Sequence, residues 1–415
     1  MQPIRVAMLS YHTCPLATLG GKNTGGMNVY VREITRYLGK CGVHVDVFTR
    51  SQDEHVPHVL HDLGYGNRIV HVPAGPEVPL PKRELADYIP AFVDGVLEFT
   101  DLKGLQYDLI HSHYWMSGIA ALSLKKSWGV PIIQMFHTLG LMKNRVAQTP
   151  DEMEGEYRIN GERRVMQEAN MIVAATPAEL SQLQFLYQMD AGKIIVIPPG
   201  VDTGHFYPIP KDEAKEFIGV RPCDRMLLFV GRIEPLKGLD VLLDAISLLR
   251  QRQDPDLLEF CLSVIGGDLD VSLENMSVEM AHLQAMREKH GLQDMVALLG
   301  KRGQDTLPYY YSASEAVVVP SFYESFGMVA LEAMACGIPV VASHVGGLAF
   351  LVQDGFTGFT VPVDDSDALA DRLSVLLKDD ALRTRMGNQA AEYARSYGWE
   401  NIVNRLTKAY ERIMV

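Results

Sequence analysis

What this sequence lacks narrows it first. Of its 415 residues five are cysteine (Cys14, Cys41, Cys223, Cys261 and Cys336), an odd number, widely spaced, with no C-x-x-C pair. That pattern argues against a zinc ribbon or a dithiol redox centre and suits a reducing compartment. No stretch approaches the ~20 apolar residues of a membrane-spanning helix. The opening MQPIRVAMLSYHT carries one short apolar run, well short of a secretory leader. The expectation is a cytoplasmic protein without a membrane partner. Basic charge is also scarce: 38 Lys and Arg against 51 Asp and Glu leave a net charge of −13. A nucleic-acid partner, which demands a basic face, is therefore not expected. A few local cations can still dominate one cleft, so anionic small molecules stay open.

What is present is the composition of a folded protein, 47% hydrophobic and 21% charged. A single core rarely grows beyond ~250–300 residues, so two domains are expected. The chain opens with an apolar strand, Ile4–Leu9, then a glycine-rich loop from Gly20 to Gly26. A helical pattern over Asn28–Gly39 and a second strand, Val43–Phe48, follow. Strand, loop, helix and strand make the unit of a parallel sheet. The same grammar continues through strands at 108–111, 131–136, 171–175 and 194–197, and Pro198-Pro199-Gly200 breaks it. It then restarts, with strands at 226–230, 260–265, 296–299, 316–319 and 339–342 and helices at 239–249, 329–335 and 367–377. The fold class read from this is α/β. Residues 51–67 carry little pattern and read as a long mobile loop. In open parallel sheets ligands bind beyond the carboxyl ends of the strands, so chemistry-bearing residues are sought there.

Three segments stand out. Gly20-Gly21-Lys22-Asn23-Thr24-Gly25-Gly26-Met27-Asn28 lets backbone approach an anion at a helix start, although Met27 stands where a Walker loop needs lysine and G-x-G-x-x-G is absent. Gly231-Arg232 ends the first strand of the second half, with Lys237-Gly238 at the next helix start; two cations there suit a pyrophosphate. In Pro320-Ser-Phe-Tyr-Glu324-Ser-Phe326-Gly327-Met328-Val329-Ala-Leu-Glu332, two glutamates flank a loop-to-helix transition whose first N–H groups are exposed to a ligand. An isolated helix glutamate is ordinarily just solvated, but Glu332 lies among apolar neighbours, within reach of a ribose hydroxyl.

Taken together, Gly25-Gly26, Gly231-Arg232 with Lys237, and Glu324 through Glu332 resemble the donor site of the retaining GT-B glycosyltransferases. That family includes sucrose synthases, sucrose-phosphate synthases, bacterial glycogen synthases and the mycothiol-pathway transferase. The resemblance covers nearly the whole chain and implies two Rossmann-like domains facing a central cleft. Residues 1–199 would bind the acceptor, 200–395 the nucleotide sugar, and a helix within 396–415 would pack back on the first domain. It implies catalytic roles for His137, Arg232, Lys237 and Glu324. It implies donor binding by Gly26, Gly231, Phe326, Gly327, Met328, Val329 and Glu332, and acceptor contacts by Gly25 and Asn28. Lys82, Tyr114, Thr138 and Arg158 resemble a pocket for an acceptor phosphate. No second carboxylate is placed as a nucleophile, so front-face substitution is expected, with the leaving phosphate taking the acceptor proton.

Fructose 6-phosphate, with UDP-glucose as donor, is the acceptor favoured by Lys82-Arg83-Glu84-Leu85 and Ile89 to Gly95, which look like sucrose-phosphate synthases. The alternative is UDP-N-acetylglucosamine transfer to inositol phosphate, for which Gly25 to Val31 and Ser112-His113-Tyr114-Trp115 speak. Any sucrose phosphate formed would need a separate phosphatase. A noncatalytic sugar-nucleotide sensor is the reading from another class, but it would be expected to lose Glu324 or Lys237. A dehydrogenase would need an acidic end to its second strand, where this chain has Phe48-Thr49-Arg50. No cofactor or metal is expected, Mg²⁺ being at most stimulatory. Asp268-Leu269-Asp270 is a D-x-D triplet in poor context, and His55, His58 and His61 lack the spacing of a helical metal pair. His111 and His113, either side of Ser112, are expected on opposite faces of their strand, with His113 edging the cleft.

Overall fold

The computed structural model describes residues 3–17, 25–147, 149–219, 225–257, 260–267 and 277–414. The glycine loop from 18 to 24 and the Asp268–Asp270 triplet lie outside the described residues. The chain forms two compact units. The first holds the segment up to Ala17, Gly26–Pro199 and everything from Trp399 onward; the second holds Gly200–Gly398 together with Gly25.

The first unit carries β1 (Arg5–Leu9), β2 (His44–Arg50), β3 (Val59–Leu60), β4 (Arg68–Val72), β5 (Leu109–His113), β6 (Ile132–Met135), β7 (Met171–Ala174) and β8 (Ile194–Val196). They make one sheet in the order β3-β4-β2-β1-β5-β6-β7-β8, parallel except for the short antiparallel β3–β4 pairing. The second unit carries β9 (Arg225–Val230), β10 (Phe260–Ile265), β11 (Val296–Gly300), β12 (Ala316–Val319), β13 (Val340–Ser343) and β14 (Gly358–Val361). Its order is β11-β10-β9-β12-β13-β14, with every pairing parallel. In each sheet the strand that opens it in sequence sits in the middle, and the order reverses there: at β1 beside β5, and at β9 beside β12. Those are the switch points at which doubly wound sheets bind ligands.

Burial explains the strands. Ala316-Val-Val-Val319 and Val340-Val-Ala-Ser343 are buried at every residue, as strands covered by helices on both faces must be. The helix Gly26–Lys40 buries Val29, Tyr30, Ile34, Tyr37 and Leu38 at helical spacing. The helix Trp399–Met414 buries Trp399, Ile402, Val403, Leu406, Ala409 and Tyr410, and packs on the helix Gly26–Lys40 of the first unit. No helix among the described residues is long and apolar enough to cross a membrane.

The reading of residues 51–67 as a mobile loop is corrected. The segment contains β3, buries Leu63, and ends in the fully buried Asn67. The Asn67 amide accepts from the Val45 N–H at 2.8 Å and donates to the Thr35 carbonyl at 2.9 Å, pinning the loop to β2 and to the first helix. The opposite-face reading of His111 and His113 is corrected as well. Side chains two apart on a strand share a face, and the two imidazoles lie with centroids 4.2 Å apart, both fully buried.

Candidate active site

In the first unit the residues of interest follow β1, β5 and β6. Tyr114 comes directly after β5 and His137 two residues after β6, and both take left-handed backbone conformations, with φ of 73° and 61°. Such values are costly for residues with a Cβ and persist where the surroundings impose them, characteristically at functional sites.

Tyr114 is the hub of the first half-site. The Arg158 guanidinium lies 5.0 Å from its ring centroid and the Lys82 ammonium 5.7 Å. Arg158, in the first turn of the helix Glu156–Glu168, donates to the Thr138 carbonyl and hydroxyl oxygens, each at 3.0 Å. Lys82, Tyr114, Thr138 and Arg158 therefore come together, from four separate places in the sequence. Arg158 is not a loop cation, however: its side chain is 1% exposed. Its Nε pairs with Glu162 at 2.8 Å and its Nη1 with Glu154 at 2.7 Å. Burial alone favours loss of its proton, but the Glu162 and Glu154 carboxylates outweigh that and hold it charged. Glu162 also accepts from the Gly140 N–H and the Tyr187 hydroxyl, so the pair is built into the core. Burial pushes the Tyr114 phenol up to about 12, leaving it a neutral donor.

His12 belongs to this half-site and went unnoticed in the sequence. It follows β1, is buried, and lies tilted against Tyr114 with ring centroids 4.4 Å apart; among the described residues its Nδ1 has no hydrogen-bond partner. Burial, then Lys82, His137 and Arg158, pull its pKa well down, so it stands neutral among the cations. Its position just past the carboxyl end of the first strand was the available signal. Asn28 is buried in the first helix and donates to the Thr13 hydroxyl at 2.7 Å and the Cys14 carbonyl at 2.8 Å, which commits its amide nitrogen to the loop after β1. Gly26 opens that helix and Gly25 precedes it.

In the second unit the residues follow β9 and β12. Arg232 pairs with Glu234 at 2.6 Å, and Lys237 with Glu324 at 2.6 Å, all four side chains partly exposed. Glu234 is a partner the sequence reading missed. Gly231 donates its N–H to the Ile265 carbonyl at the end of β10. Gly238, with φ 64°, lies so close to the loop after β12 that a Cβ there would stand 2.0 Å from the Pro320 carbonyl oxygen; this approach brings Lys237 to Glu324. Gly327, with φ 109°, caps the helix Met328–Ala335, and a Cβ on it would meet Leu348 at 2.6 Å. Met328 and Val329 open the helix and Phe326 is buried beneath the turn. Glu332, one turn in, is buried and accepts from the Tyr311 hydroxyl at 2.8 Å and the Gln304 amide at 3.4 Å. A half-exposed Arg–Glu and Lys–Glu pair beside a helix start presents both signs: cations for a diphosphate, and carboxylates for sugar and ribose hydroxyls.

Two Rossmann-like sheets in series, each with polar residues gathered beyond its switch point, are the architecture of the GT-B fold. A family model described as glycosyl transferases group 1 matches residues 210–393, and one described as glycosyltransferase family 4 matches residues 24–205. A D-inositol 3-phosphate glycosyltransferase of Actinosynnema mirum is 40% identical over 98% of this chain and 96% of its own length. The enzyme of the same name from Paenarthrobacter aurescens is 40% identical over 95% of each chain. Among solved structures, a sucrose-phosphate synthase from Thermosynechococcus elongatus superposes with a TM-score of 0.89 at 32% identity, covering 99% of this chain and 98% of that one. Anabaena HepE, solved with UDP and glucose, shares the fold alone, with a TM-score of 0.74 at 19% identity over 98% of this chain and 99% of its own. The chain belongs to the group 1 glycosyltransferases of the GT-B fold.

Proposed function

We propose that this glycosyltransferase moves N-acetylglucosamine from UDP to the hydroxyl of an inositol phosphate, with retention at the anomeric carbon. The observation that carries the phosphate is the convergence of Arg158, Lys82, Thr138 and the neutral Tyr114 and His12, two cations and a set of neutral hydrogen-bonding groups of the kind that hold a phosphate dianion. Preference for inositol phosphate over fructose 6-phosphate rests on relatives named D-inositol 3-phosphate glycosyltransferase, 40% identical over nearly whole chains. This inverts the order of the acceptors given by the sequence motifs. Sucrose 6-phosphate synthesis from UDP-glucose remains the second reading, favoured by the 0.89 TM-score to a sucrose-phosphate synthase.

The chemistry in both cases is the same. Arg232 and Lys237 take the growing charge of the leaving diphosphate. Glu324 holds donor-sugar hydroxyls, Glu332 the ribose, and His137 contacts the donor sugar. The leaving phosphate accepts the proton of the acceptor hydroxyl as the new glycosidic bond forms on the same face. Fixed cations aimed at developing charge, with both substrates oriented, supply most of the rate without a metal. The setting is the cytoplasm, where nucleotide sugars are made.

The test is a product screen. Purified protein is given UDP-N-acetylglucosamine or UDP-glucose with D-inositol 3-phosphate, fructose 6-phosphate, or their dephosphorylated forms, and products are read by mass spectrometry. The expected product is the N-acetylglucosaminyl inositol phosphate. Sucrose 6-phosphate alone would select the second reading, and equal use of phosphorylated and free acceptors would remove the phosphate pocket from both.

A further inference from the structure

Beneath His137 lies a pile of buried aromatic and imidazole rings that the transfer chemistry does not use. His137 Nε2 meets His113 Nδ1 at 3.0 Å. His113 stacks on His111, with centroids 4.2 Å apart, and His111 Nδ1 meets the hydroxyl of Tyr410, in the helix Trp399–Met414, at 2.8 Å. Tyr30 closes the side of the pile, edge-on to His113, His137 and Trp399. His111 and His113 are fully buried, and among the described residues the Nε2 of each has no hydrogen-bond partner.

The tautomers follow by elimination. A neutral imidazole has one N–H, and the hydrogen bond made by one ring nitrogen decides where it sits. If His137 donated from Nε2, the proton of His113 would be forced onto its own Nε2, a buried donor with nothing to receive it. If His113 donates from Nδ1, only a bare lone pair is left inside. Orphaned buried N–H groups are the rarer and costlier defect. His113 is therefore the donor, His137 Nε2 the acceptor, and the His137 proton sits on Nδ1.

We infer that His113 is a positioning residue: it locks His137 as the Nδ1–H tautomer, so that His137 offers the sugar a neutral hydrogen-bond donor in one fixed orientation. This rests on the proposed contact between His137 and the donor sugar. Burial pushes His137 down to about 3, so at neutral pH no imidazolium competes with that state.

The experiment compares His113→Asn with His113→Phe. The asparagine amide nitrogen sits near the position of Nδ1 and can still donate; phenylalanine fills the space and cannot. The expected result is kcat within about threefold of wild type for His113→Asn. For His113→Phe, kcat should fall about tenfold, the scale of one lost hydrogen bond, with both KM values little changed. A packing role alone reverses the ranking, because asparagine leaves a cavity where phenylalanine does not; that ranking, with kcat tracking the melting temperature, overturns the inference. An independent readout needs no substrate. Two-bond proton–nitrogen correlation on protein carrying ¹⁵N-histidine should show His137 as Nδ1–H in wild type and His113→Asn, and as Nε2–H or a mixture in His113→Phe. A wild-type His137 carrying its proton on Nε2 overturns the inference whether or not sugar transfer is found. Absence of transfer with a wild-type Nδ1–H defeats the functional reading and leaves the tautomer lock standing.

Discussion

Replacing Lys82 with alanine separates recognition of a phosphate from the folding of its pocket, which truncating Arg158 cannot do. Arg158 is 1% exposed and holds two carboxylates, one of them on the fully buried Glu162. Breaking a buried ion pair from one side costs about 3–5 kcal/mol, a large share of a total stability of ~5–15 kcal/mol. For a unit of roughly 200 residues that lowers the melting temperature by roughly 6–20 °C. Any acceptor defect in Arg158→Ala would be mixed with that loss. Lys82 is partly exposed on a short helix, its ammonium 5.7 Å from the Tyr114 ring. Its removal should cost about 0.5 kcal/mol or less in stability, yet delete a charged hydrogen bond to the phosphate worth ~1.5–3 kcal/mol. The expected outcome is a fall of about 10- to 150-fold in kcat/KM for the phosphorylated acceptor, with the free acceptor and the melting temperature nearly unchanged. Steady-state kinetics with both acceptors, beside a thermal melt, checks it. An undiminished phosphate preference in Lys82→Ala would refute the placement of Lys82, and an equal fall for both acceptors would make its role general rather than phosphate-specific.

Three further outcomes are expected. Lys237→Ala should lower turnover by at least ~100-fold, the scale of a lost oxyanion donor, and single-turnover rates near wild type would remove Lys237 from the leaving-group site. Transfer should persist in excess EDTA if Arg232 and Lys237 neutralise the leaving diphosphate as proposed, in place of a divalent ion; complete loss restored only by Mg²⁺ or Mn²⁺ would reverse this. Glu179, buried at the start of the helix Pro177–Tyr187 with its carboxylate accepting from the Ala175 N–H, is pushed up to about 7 by burial. A raised carboxyl pKa means its stabilisation is full below the ordinary carboxylate range and is lost as pH rises towards 7, at up to about 1.4 kcal/mol per pH unit. Glu179→Gln should therefore gain on wild type between pH 5 and 8 in urea unfolding, and parallel pH profiles for the two proteins would contradict the burial argument.

Much of the fold was written in the strands. Fully buried β12 is an unbroken apolar run and β13 is apolar up to its final serine, both visible without a partner. β4 and β14 were not read, because Arg68-Ile-Val-His-Val mixes charge into a short run and Gly358-Phe-Thr-Val follows the turn residues Asp354-Gly355. Asn67 shows why residues 51–67 misled: its order comes from two hydrogen bonds to segments more than 20 residues away, which no local pattern encodes. The same holds for the site. Cations after strands were legible by type and position, whereas their carboxylate partners Glu154, Glu162 and Glu234 were not, since an acidic residue in a helix or loop ordinarily reads as solvated. The stacking of His111 on His113 needed only the two-residue period of a strand, but their joining to Tyr410 spans 299 positions and required the structure.

The last helix has a bearing on how the chain is made. Trp399 and Tyr410 fill sockets formed by Tyr30, Tyr37 and His111, yet the whole of Gly200–Gly398 is synthesised between the two. At ~5–20 residues per second, roughly 200 residues take about 10–40 s to emerge from the ribosome. During that interval the first unit carries an open aromatic groove, while the second, contiguous in sequence apart from the short segment just before Gly26, has all it needs to close. The usual order of birth is thus inverted: the half that leaves the ribosome first is the half that is finished last. A chain cut short after Gly398 would leave the second unit its own residues and would damage the first, whose opening strand lies nearly four hundred residues upstream of the cut.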